Sequence, residues 1–148
     1  MKLVSACLLG INCRWKGNSS TNDNVIRLAQ LELLIPVCPE QLGGLSTPRI
    51  RQEIENGDGE SVLGGKSRVV NSEGKDVTAQ FLRGAEETLR IATMFGVREF
   101  IGKAGSPSCG CGSIHDGSFS GKQIPGSGVT AALLHRNGIR LVSEDTLP

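Results

Sequence analysis

The sequence predicts an α/β protein built on a three-layer, open and mostly parallel sheet of the Rossmann-like or flavodoxin-like kind. Short apolar runs typical of buried strands alternate with segments whose apolar residues recur every three or four positions, as on one face of a helix. The length of 148 residues fits one domain, 1–148, without an internal repeat or linker. This fold class also admits a small extra hairpin beside the sheet.

The first quarter of the chain predicts two strands joined by one helix. Residues 2–6 form an apolar run, and three residues able to cap a helix follow at 22–24, before apolar positions that continue to Leu31. Residues 33–37 form the second run. Pro36 within it predicts an edge or strand-end position, because proline lacks the N–H that a central strand donates.

The middle of the chain, residues 41–68, is irregular and rich in glycine. Within and just beyond it, residues 62–63 and 68–70 suit a small hairpin beside the main sheet. Glycine accounts for 20 of the 148 residues, well above the usual share of about 7 %. Because glycine weakens regular elements, this surplus indicates tight turns or a backbone that closely approaches a ligand.

The second half predicts a long helix, a third strand and a long loop. The helix spans about 77–95, with Asp76 to cap it, Gly96 to end it and one apolar face. A strand at 100–101 then enters a 24-residue loop, 105–128, which contains seven glycines.

A last helix over 129–136 and a strand over 139–142 complete the predicted sheet. The segment that opens this helix, residues 126–131, matches the pattern G-x-G-x-x-A. It follows a proline-containing loop rather than a strand, so we do not expect a dinucleotide site. The N–H groups at the start of the helix remain a candidate site for an anion.

Composition excludes several classes of protein. The net charge of +1 and the absence of a basic run argue against a protein that binds a nucleic-acid polymer through its phosphates. No segment is long enough to span a membrane, and no cleavage site follows the apolar N-terminus. We therefore expect a cytoplasmic protein without a membrane partner, and the sequence leaves its oligomeric state open.

The cysteines are the main indication of chemistry. In the cytoplasm, five cysteines without a C-x-x-C spacing indicate metal binding or thiol chemistry rather than disulfides. Cys7 follows the first predicted strand, Cys38 the second, and Cys109 lies in the loop after the third. Since the carboxyl ends of parallel strands share the edge where ligands bind, we expect these thiols to converge. The alternative is three unrelated core thiols.

Converging thiolates suit zinc, copper(I) or an iron–sulfur cluster. Three widely separated ligands in glycine-rich loops favour a bulky cluster with an open position over a compact, closed zinc site. Cys111 is a candidate fourth ligand, redox partner or bystander, and Cys13 a candidate structural residue. We prefer a supporting or bystander role for both.

Three oxygen-bearing side chains lie beside these cysteines in the sequence. Glu40 comes two residues after Cys38, and a carboxylate near a metal can act as a general acid or base. Ser106 and Ser108 precede Cys109, and their hydroxyls are suited to hold an oxygen or sulfur of a substrate. The alternatives are a solvated loop glutamate and two serines that stabilise a turn.

Six sequence blocks, in order along nearly the whole chain, resemble the signature of the thiouracil desulfidase family, long classed as a domain of unknown function. The blocks are Ser5-Ala6-Cys7-Leu8-Leu9-Gly10, Cys13-Arg14-Trp15-Lys16-Gly17, Cys38-Pro39-Glu40 with Gly43-Gly44-Leu45 and Thr47-Pro48-Arg49, Gly74-Lys75-Asp76-Val77-Thr78, Ser106-Pro107-Ser108-Cys109-Gly110 and Asp116-Gly117-Ser118-Phe119-Ser120-Gly121.

The resemblance implies a [4Fe-4S] cluster held by Cys7, Cys38 and Cys109, with a fourth iron free to bind the sulfur of a thiolated pyrimidine such as 2- or 4-thiouracil. Water then replaces that sulfur, so that the oxo base and sulfide form without net redox change. A ligand exchange with Cys13 stays open, because Cys13 is usual in the family.

The resemblance also implies roles for the neighbouring side chains. Glu40 would act as the acid or base, assisted by Ser106 or Ser108. This chain departs from the family pattern at residues 15–16, which are Trp-Lys where Tyr-Asp is usual, and at His115, where tyrosine is common. Both differences predict an altered substrate preference.

Two other functions remain open on the residues alone. Cys38 or Cys109 would serve as the nucleophile of a hydrolase or transferase. Alternatively, the thiols would form a structural metal-binding or thiol-sensing module without catalysis.

Overall fold

The computed structural model describes residues 1–147, and its helices and strands alternate along most of the chain. In order they are β1 (Lys2–Ser5), α1 (Asp23–Leu31), β2 (Leu34–Val37), α2 (Pro39–Leu42), β3 (Gln52–Ile54), α3 (Gly59–Leu63), β4 (Val69–Asn71), α4 (Thr78–Met94), β5 (Glu99–Gly102), β6 (Ser113–His115), β7 (Gln123–Pro125), α5 (Val129–Arg136) and β8 (Arg140–Ser143). No helix in this described part is both long and apolar enough to cross a membrane.

Four parallel strands form the central sheet in the order β2-β1-β5-β8. β2 is an edge strand, which confirms the position that Pro36 predicts. The chain passes from β1 to β2 on one side and later returns to β5 on the other side of β1. Strand order therefore reverses between β1 and β5, and open α/β sheets bind ligands beyond the carboxyl ends of strands at such a point.

Helices cover both faces of this sheet. Leu3 and Phe100 point to one face and pack with buried residues of α4 and α5. The next residues along each strand, Val4 and Ile101, point to the opposite face and pack with Val25 of α1. This alternation is the normal period of a strand. The layers confirm the predicted α/β class and explain the apolar runs, because strands covered on both faces bury side chains that point to either face.

Capping side chains set the starts of two helices as the sequence predicts. The Asn22 side chain accepts hydrogen bonds from the backbone N–H groups of Asn24 and Val25 at 3.0 and 3.2 Å. The Asp76 carboxylate accepts one from the N–H of Thr78, the first residue of α4, at 2.9 Å. Each satisfies a donor that the helix itself leaves without a partner.

Two parts of the predicted element list are wrong. Residues 62–63 lie in α3, whose start is closed by a capping box between Asp58 and Ser61, so they do not form a strand. The antiparallel hairpin beside the sheet exists, but β3 is the strand that pairs with β4. The loop 105–128 is also partly regular, because β6 and β7 form a second antiparallel pair within it.

Candidate functional site

A cavity of about 410 Å³ opens at the carboxyl ends of the strands, beside the reversal between β1 and β5. Its wall includes Cys7, Cys38 and Cys109, the three thiols expected to converge, and also Cys13. Cysteine thiols that follow three different strands therefore line the same cavity.

Cys7 lies in the 3-10 turn Ala6–Leu9 that directly follows β1. Gly10 ends this turn with a φ of 92°, a conformation that glycine adopts without strain. Burial raises the pKa of the Cys7 thiol to about 11, and the charge of Glu40 adds to this effect. Lys103 and Arg14 oppose the rise.

Cys38 and Cys13 form an adjacent pair on the wall. Cys38 follows β2 and precedes the first residue of α2, and its Sγ lies 3.7 Å from the carbonyl oxygen of Cys13. A hydrogen bond from the Cys38 thiol to the Cys13 sulfur raises the pKa of Cys38 and lowers that of Cys13. Burial adds to the rise at Cys38 and opposes the fall at Cys13.

Cys109 lies in a turn that two sets of hydrogen bonds hold in place. The Oγ of Ser106 accepts from the backbone N–H groups of Ser108 and Cys109 at 3.2 and 2.9 Å. The N–H groups of Val129 and Ala131, at the start of α5, donate to carbonyl groups of the same turn at 2.8 and 3.1 Å. These N–H groups are therefore occupied, so the start of α5 is not the anion site that the sequence leaves open.

The two candidate serines have different surroundings. Ser106 lines the cavity, and because its oxygen already accepts two backbone N–H groups, its hydroxyl hydrogen stays available for a ligand. Ser108 is only 1 % exposed, and its hydroxyl is bonded to that of Thr130 at 3.0 Å. It is not among the residues that line the cavity.

Glu40 lies in the first turn of α2, and its side chain reaches the cavity. A guanidinium nitrogen of Arg49 lies 3.4 Å from its Oε2 and also donates to the carbonyl oxygen of Cys13 at 3.0 Å. Arg49 is 6 % exposed and Glu40 14 % exposed, so little water screens the pair. Arg49 belongs to one of the family-like sequence blocks, but its pairing with Glu40 could not be predicted, because a lone arginine in a loop indicates no partner.

Most charged residues of the wall are basic. The basic lining residues are Arg14, Lys16, Arg49, Arg51 and Lys103, whereas Glu40 is the one acidic residue among them. Thiolates and a carboxylate in one space would disfavour each other's ionisation, because like charges repel. Nearby positive charges favour the ionised forms, so the basic lining helps to offset this repulsion.

Cys111 lies in the core rather than at the cavity. It is 6 % exposed, packs among buried apolar residues, and its Sγ lies 3.4 Å from the carbonyl oxygen of Cys109. A Cβ at Gly102 would lie 2.6 Å from this sulfur, so the glycine makes room for it. Burial raises the pKa of the Cys111 thiol to about 12.

The donor set fits a group larger than one metal ion. Thiolates around a single tetrahedral zinc would stand about 3.8 Å apart, because each Zn–S bond is about 2.3 Å long. Within residues 1–147, no three His, Cys, Asp or Glu side chains have an arrangement that would hold one metal ion. Soft donors that share a cavity without this compact geometry suit an iron–sulfur cluster.

The fold and the cavity define a class of protein, an α/β domain whose strand ends supply thiols, a carboxylate and a hydroxyl to one ligand-sized space. The model of the 2-thiouracil desulfurase family matches residues 3–146. This chain belongs to the 2-thiouracil desulfurase family, which confirms the resemblance shown by its sequence blocks.

Two individual proteins are similar over nearly the whole chain. The uncharacterized protein YbbK of Bacillus subtilis (strain 168) is 47% identical over 147 residues, which cover 99% of this chain and 97% of YbbK. The solved structure of the [4Fe-4S]-dependent thiouracil desulfidase TudS (DUF523Vcz) has a TM-score of 0.86 and 43% identity. That match covers 99% of this chain and 92% of the TudS chain.

Proposed function

We propose that this chain is a [4Fe-4S]-dependent desulfidase that converts a thiolated uracil to the oxo base and releases sulfide. The observation that carries the proposal is the meeting of Cys7, Cys38 and Cys109 with Glu40 at one cavity. Family membership and the similarity to TudS support the same reaction. We further propose that residues 1–148 act as one domain in the cytoplasm, where thiols stay reduced.

Cys7, Cys38 and Cys109 are the proposed ligands. Cys7 and Cys38 follow the paired strands β1 and β2, and Cys109 lies in the turn that Ser106 and the start of α5 hold in place, so hydrogen bonds fix the backbone beside each sulfur. Burial raises the pKa of the Cys7 and Cys109 thiols, and a hydrogen bond with Cys13 together with burial raises that of Cys38. Bound iron would supply the positive charge that stabilises the thiolates. When bound, the cluster supplies an open iron that acts as a Lewis acid toward the substrate sulfur.

Glu40 is the proposed acid and base. Its carboxylate faces the cavity, and Arg49 restricts its position. We propose that Glu40 accepts a proton from the water that attacks the thiocarbonyl carbon and returns a proton as the sulfur leaves. The oxygen of the water forms the new C–O bond, the C–S bond breaks, and both protons of the water leave with the sulfur as hydrogen sulfide.

Ser106 is the proposed hydrogen-bond donor to the substrate. Its oxygen is held by two backbone N–H groups, so the hydroxyl hydrogen has a defined direction. A fixed donor at the point where negative charge develops stabilises a transition state more than a mobile one does. Ser108 has no such access, and we propose a structural role for it.

The cavity gives less support to Cys38 or Cys109 as a nucleophile. Nucleophilic cysteines have a lowered pKa, since the thiolate is the reactive form. A hydrogen bond to Cys13 and burial raise the pKa of Cys38, and burial raises that of Cys109. A purely structural metal site would need neither the free hydroxyl of Ser106 nor the carboxylate of Glu40.

Anaerobic reconstitution with iron and sulfide tests the proposal. We expect about four iron atoms per chain, the visible absorbance of an iron–sulfur cluster, and equal amounts of uracil and sulfide from 2-thiouracil. Cys7→Ala, Cys38→Ala and Cys109→Ala should each lose the absorbance and the turnover. Cys111→Ala, which changes a thiol outside the cavity, is the matched control. Thiouracil turnover that persists in the three ligand variants would overturn the proposal.

A further inference from the structure

One wall of the cavity is formed by the β6–β7 hairpin, which contributes His115 and Gln123 to the lining. These two residues lie directly opposite each other in the register of the antiparallel pair. Residues in that relationship project their side chains on the same face. The hairpin carries none of the cysteines, so its two polar side chains are not required to hold a cluster.

The pair rests on the segment that leads to Cys109. A Cβ at Gly105 would lie 3.1 Å from both the Cε1 of His115 and the Nε2 of Gln123. The Gly105 N–H donates to the carbonyl of Ser113 in β6 at 3.0 Å. The hydrogen bond ties the hairpin to this segment, and the side chains of His115 and Gln123 lie over Gly105, in the space that a side chain there would need.

One hydrogen bond determines which ring nitrogen of His115 carries the hydrogen and which can accept one from a ligand. Its Nδ1 lies 2.7 Å from the carbonyl oxygen of Gly105. A carbonyl oxygen can only accept, so Nδ1 carries the hydrogen and donates it. In the neutral imidazole the other nitrogen, Nε2, is then an acceptor, and it is the ring nitrogen left for a molecule in the cavity.

We propose that His115 and Gln123 bind the N–H/C=O edge of the pyrimidine and thereby select a uracil-type ring over a cytosine-type ring, an inference that rests on the proposed function. The Nε2 of His115 accepts from a ring N–H, while the amide of Gln123 donates to the adjacent carbonyl.

A cytosine-type ring has the opposite pattern on this edge, with an unprotonated ring nitrogen beside an amino group. Its ring nitrogen and the Nε2 of His115 would be two acceptors facing each other without a hydrogen. The Gln123 amide can rotate to suit either ring, so discrimination rests on His115. Sites built to pair a polar group strongly reject an analogue that lacks it.

His115→Asn is the most informative variant for this proposal. The asparagine amide keeps a donor for the Gly105 carbonyl but removes the acceptor at the position of Nε2. His135→Asn is the matched control, because His135 is exposed on α5 and does not line the cavity. Gln123→Leu removes the second polar group, and Gln30→Leu, on exposed α1 surface, controls for it.

The experiment compares 2-thiouracil with 2-thiocytosine on anaerobically reconstituted protein in the same buffer. We expect kcat/KM to favour 2-thiouracil by at least about tenfold. In His115→Asn the ratio should fall toward one, mainly through KM, with an unchanged cluster absorbance. Gln123→Leu should raise KM for both bases.

Calorimetric binding of uracil and cytosine gives a readout that needs no turnover. Uracil should bind more tightly than cytosine to the unmodified protein, and the difference should disappear in His115→Asn. A preference that is equal in both proteins, with the absorbance intact, overturns the assignment while the desulfidase function stands. If the unmodified protein turns over neither thiobase, the proposed function fails, and the binding comparison still decides the role of His115.

Discussion

The guanidinium of Arg49 lies 3.4 Å from the carboxylate of Glu40, and both side chains are largely buried at the cavity. The same guanidinium donates to the carbonyl oxygens of Cys13 and Ser46 at 3.0 and 3.1 Å. It therefore joins the loop after β1, the helix after β2 and the loop that follows. A planar guanidinium with five N–H donors suits this role better than a lysine ammonium.

We predict that Arg49→Met lowers kcat by about tenfold to a hundredfold, because the Glu40 carboxylate loses the partner that positions it. The measurement is steady-state turnover of 2-thiouracil together with iron content, which should stay near that of the unmodified protein. Arg49→Lys should recover part of the loss, and Arg90→Met, on the exposed face of α4, is the control. A kcat equal in Arg49→Met and Arg90→Met would contradict a positioning role.

Glu40→Gln should keep the shape of the site and remove its acid and base. We expect kcat to fall by about 10²- to 10⁴-fold, while the cluster absorbance remains. Glu60→Gln, which changes a half-exposed surface glutamate paired with Arg136, is the matched control. Normal turnover by the Glu40 variant would mean that this residue is only the buried partner of Arg49.

Substitution of the two serines should have different effects, on turnover at Ser106 and on stability at Ser108. Ser106→Ala is expected to lower kcat by about a hundredfold through the loss of a fixed donor, and Ser106→Thr should restore most of it. Ser108→Ala removes the hydrogen bond to Thr130 and should cost about 1 kcal/mol of unfolding free energy with little change in kcat. Turnover assays and urea unfolding measure both effects, and a reversed pattern would assign the active hydroxyl to Ser108.

Gly128 supports the turn of Cys109 by its lack of a side chain. A Cβ there would lie 2.4 Å from the carbonyl oxygen of Ser108. We predict that Gly128→Ala displaces this turn and reduces the iron bound after reconstitution. Gly64→Ala, where a Cβ would make an ordinary contact at 3.5 Å, should bind iron normally. Equal iron contents in the two variants would show that the turn tolerates the displacement.

The cap on α4 provides a pH-dependent test of stability. Hydrogen bonds from the side chain and backbone N–H of Thr78 hold the pKa of Asp76 below its usual value of 3.8. The capping contribution is therefore complete above about pH 3.8 and is lost as the pH falls through the folded-state pKa. Asp76→Ala should cost about 1 kcal/mol near neutral pH.

Chemical unfolding across this pH range measures that difference, which should shrink in acid. Glu86→Ala changes an exposed carboxylate on the same helix and should show no such trend. A loss that is constant with pH would mean that the charge of Asp76 does not contribute to the cap.

Local physics explains which elements the sequence predicts well. Strand runs, helix faces and caps such as Asn22 depend on neighbouring residues, so their bounds follow within about two positions. The strand β3 has only three residues, and the connection from it to its partner β4 contains the helix α3. Such a short run has little periodicity, and the pairing is a tertiary contact, which is why the prediction for residues 62–63 is wrong.

The convergence of Cys7, Cys38 and Cys109 follows from sequence order, because parallel strands place their carboxyl ends along one edge of the sheet. Other roles depend on contacts between distant segments. Cys109 and Cys111 are two residues apart, yet only Cys109 faces the cavity.

Periodicity, capping and the order of short motifs are enough to define the fold class, the family and the edge of the sheet that holds the chemistry. The folded chain was needed to learn that Ser106 rather than Ser108 faces the cavity, that Arg49 holds Glu40, and that Gln123 stands beside His115. The directions of these side chains and their long-range contacts depend on how the loops pack against the sheet. Local sequence patterns therefore do not predict them.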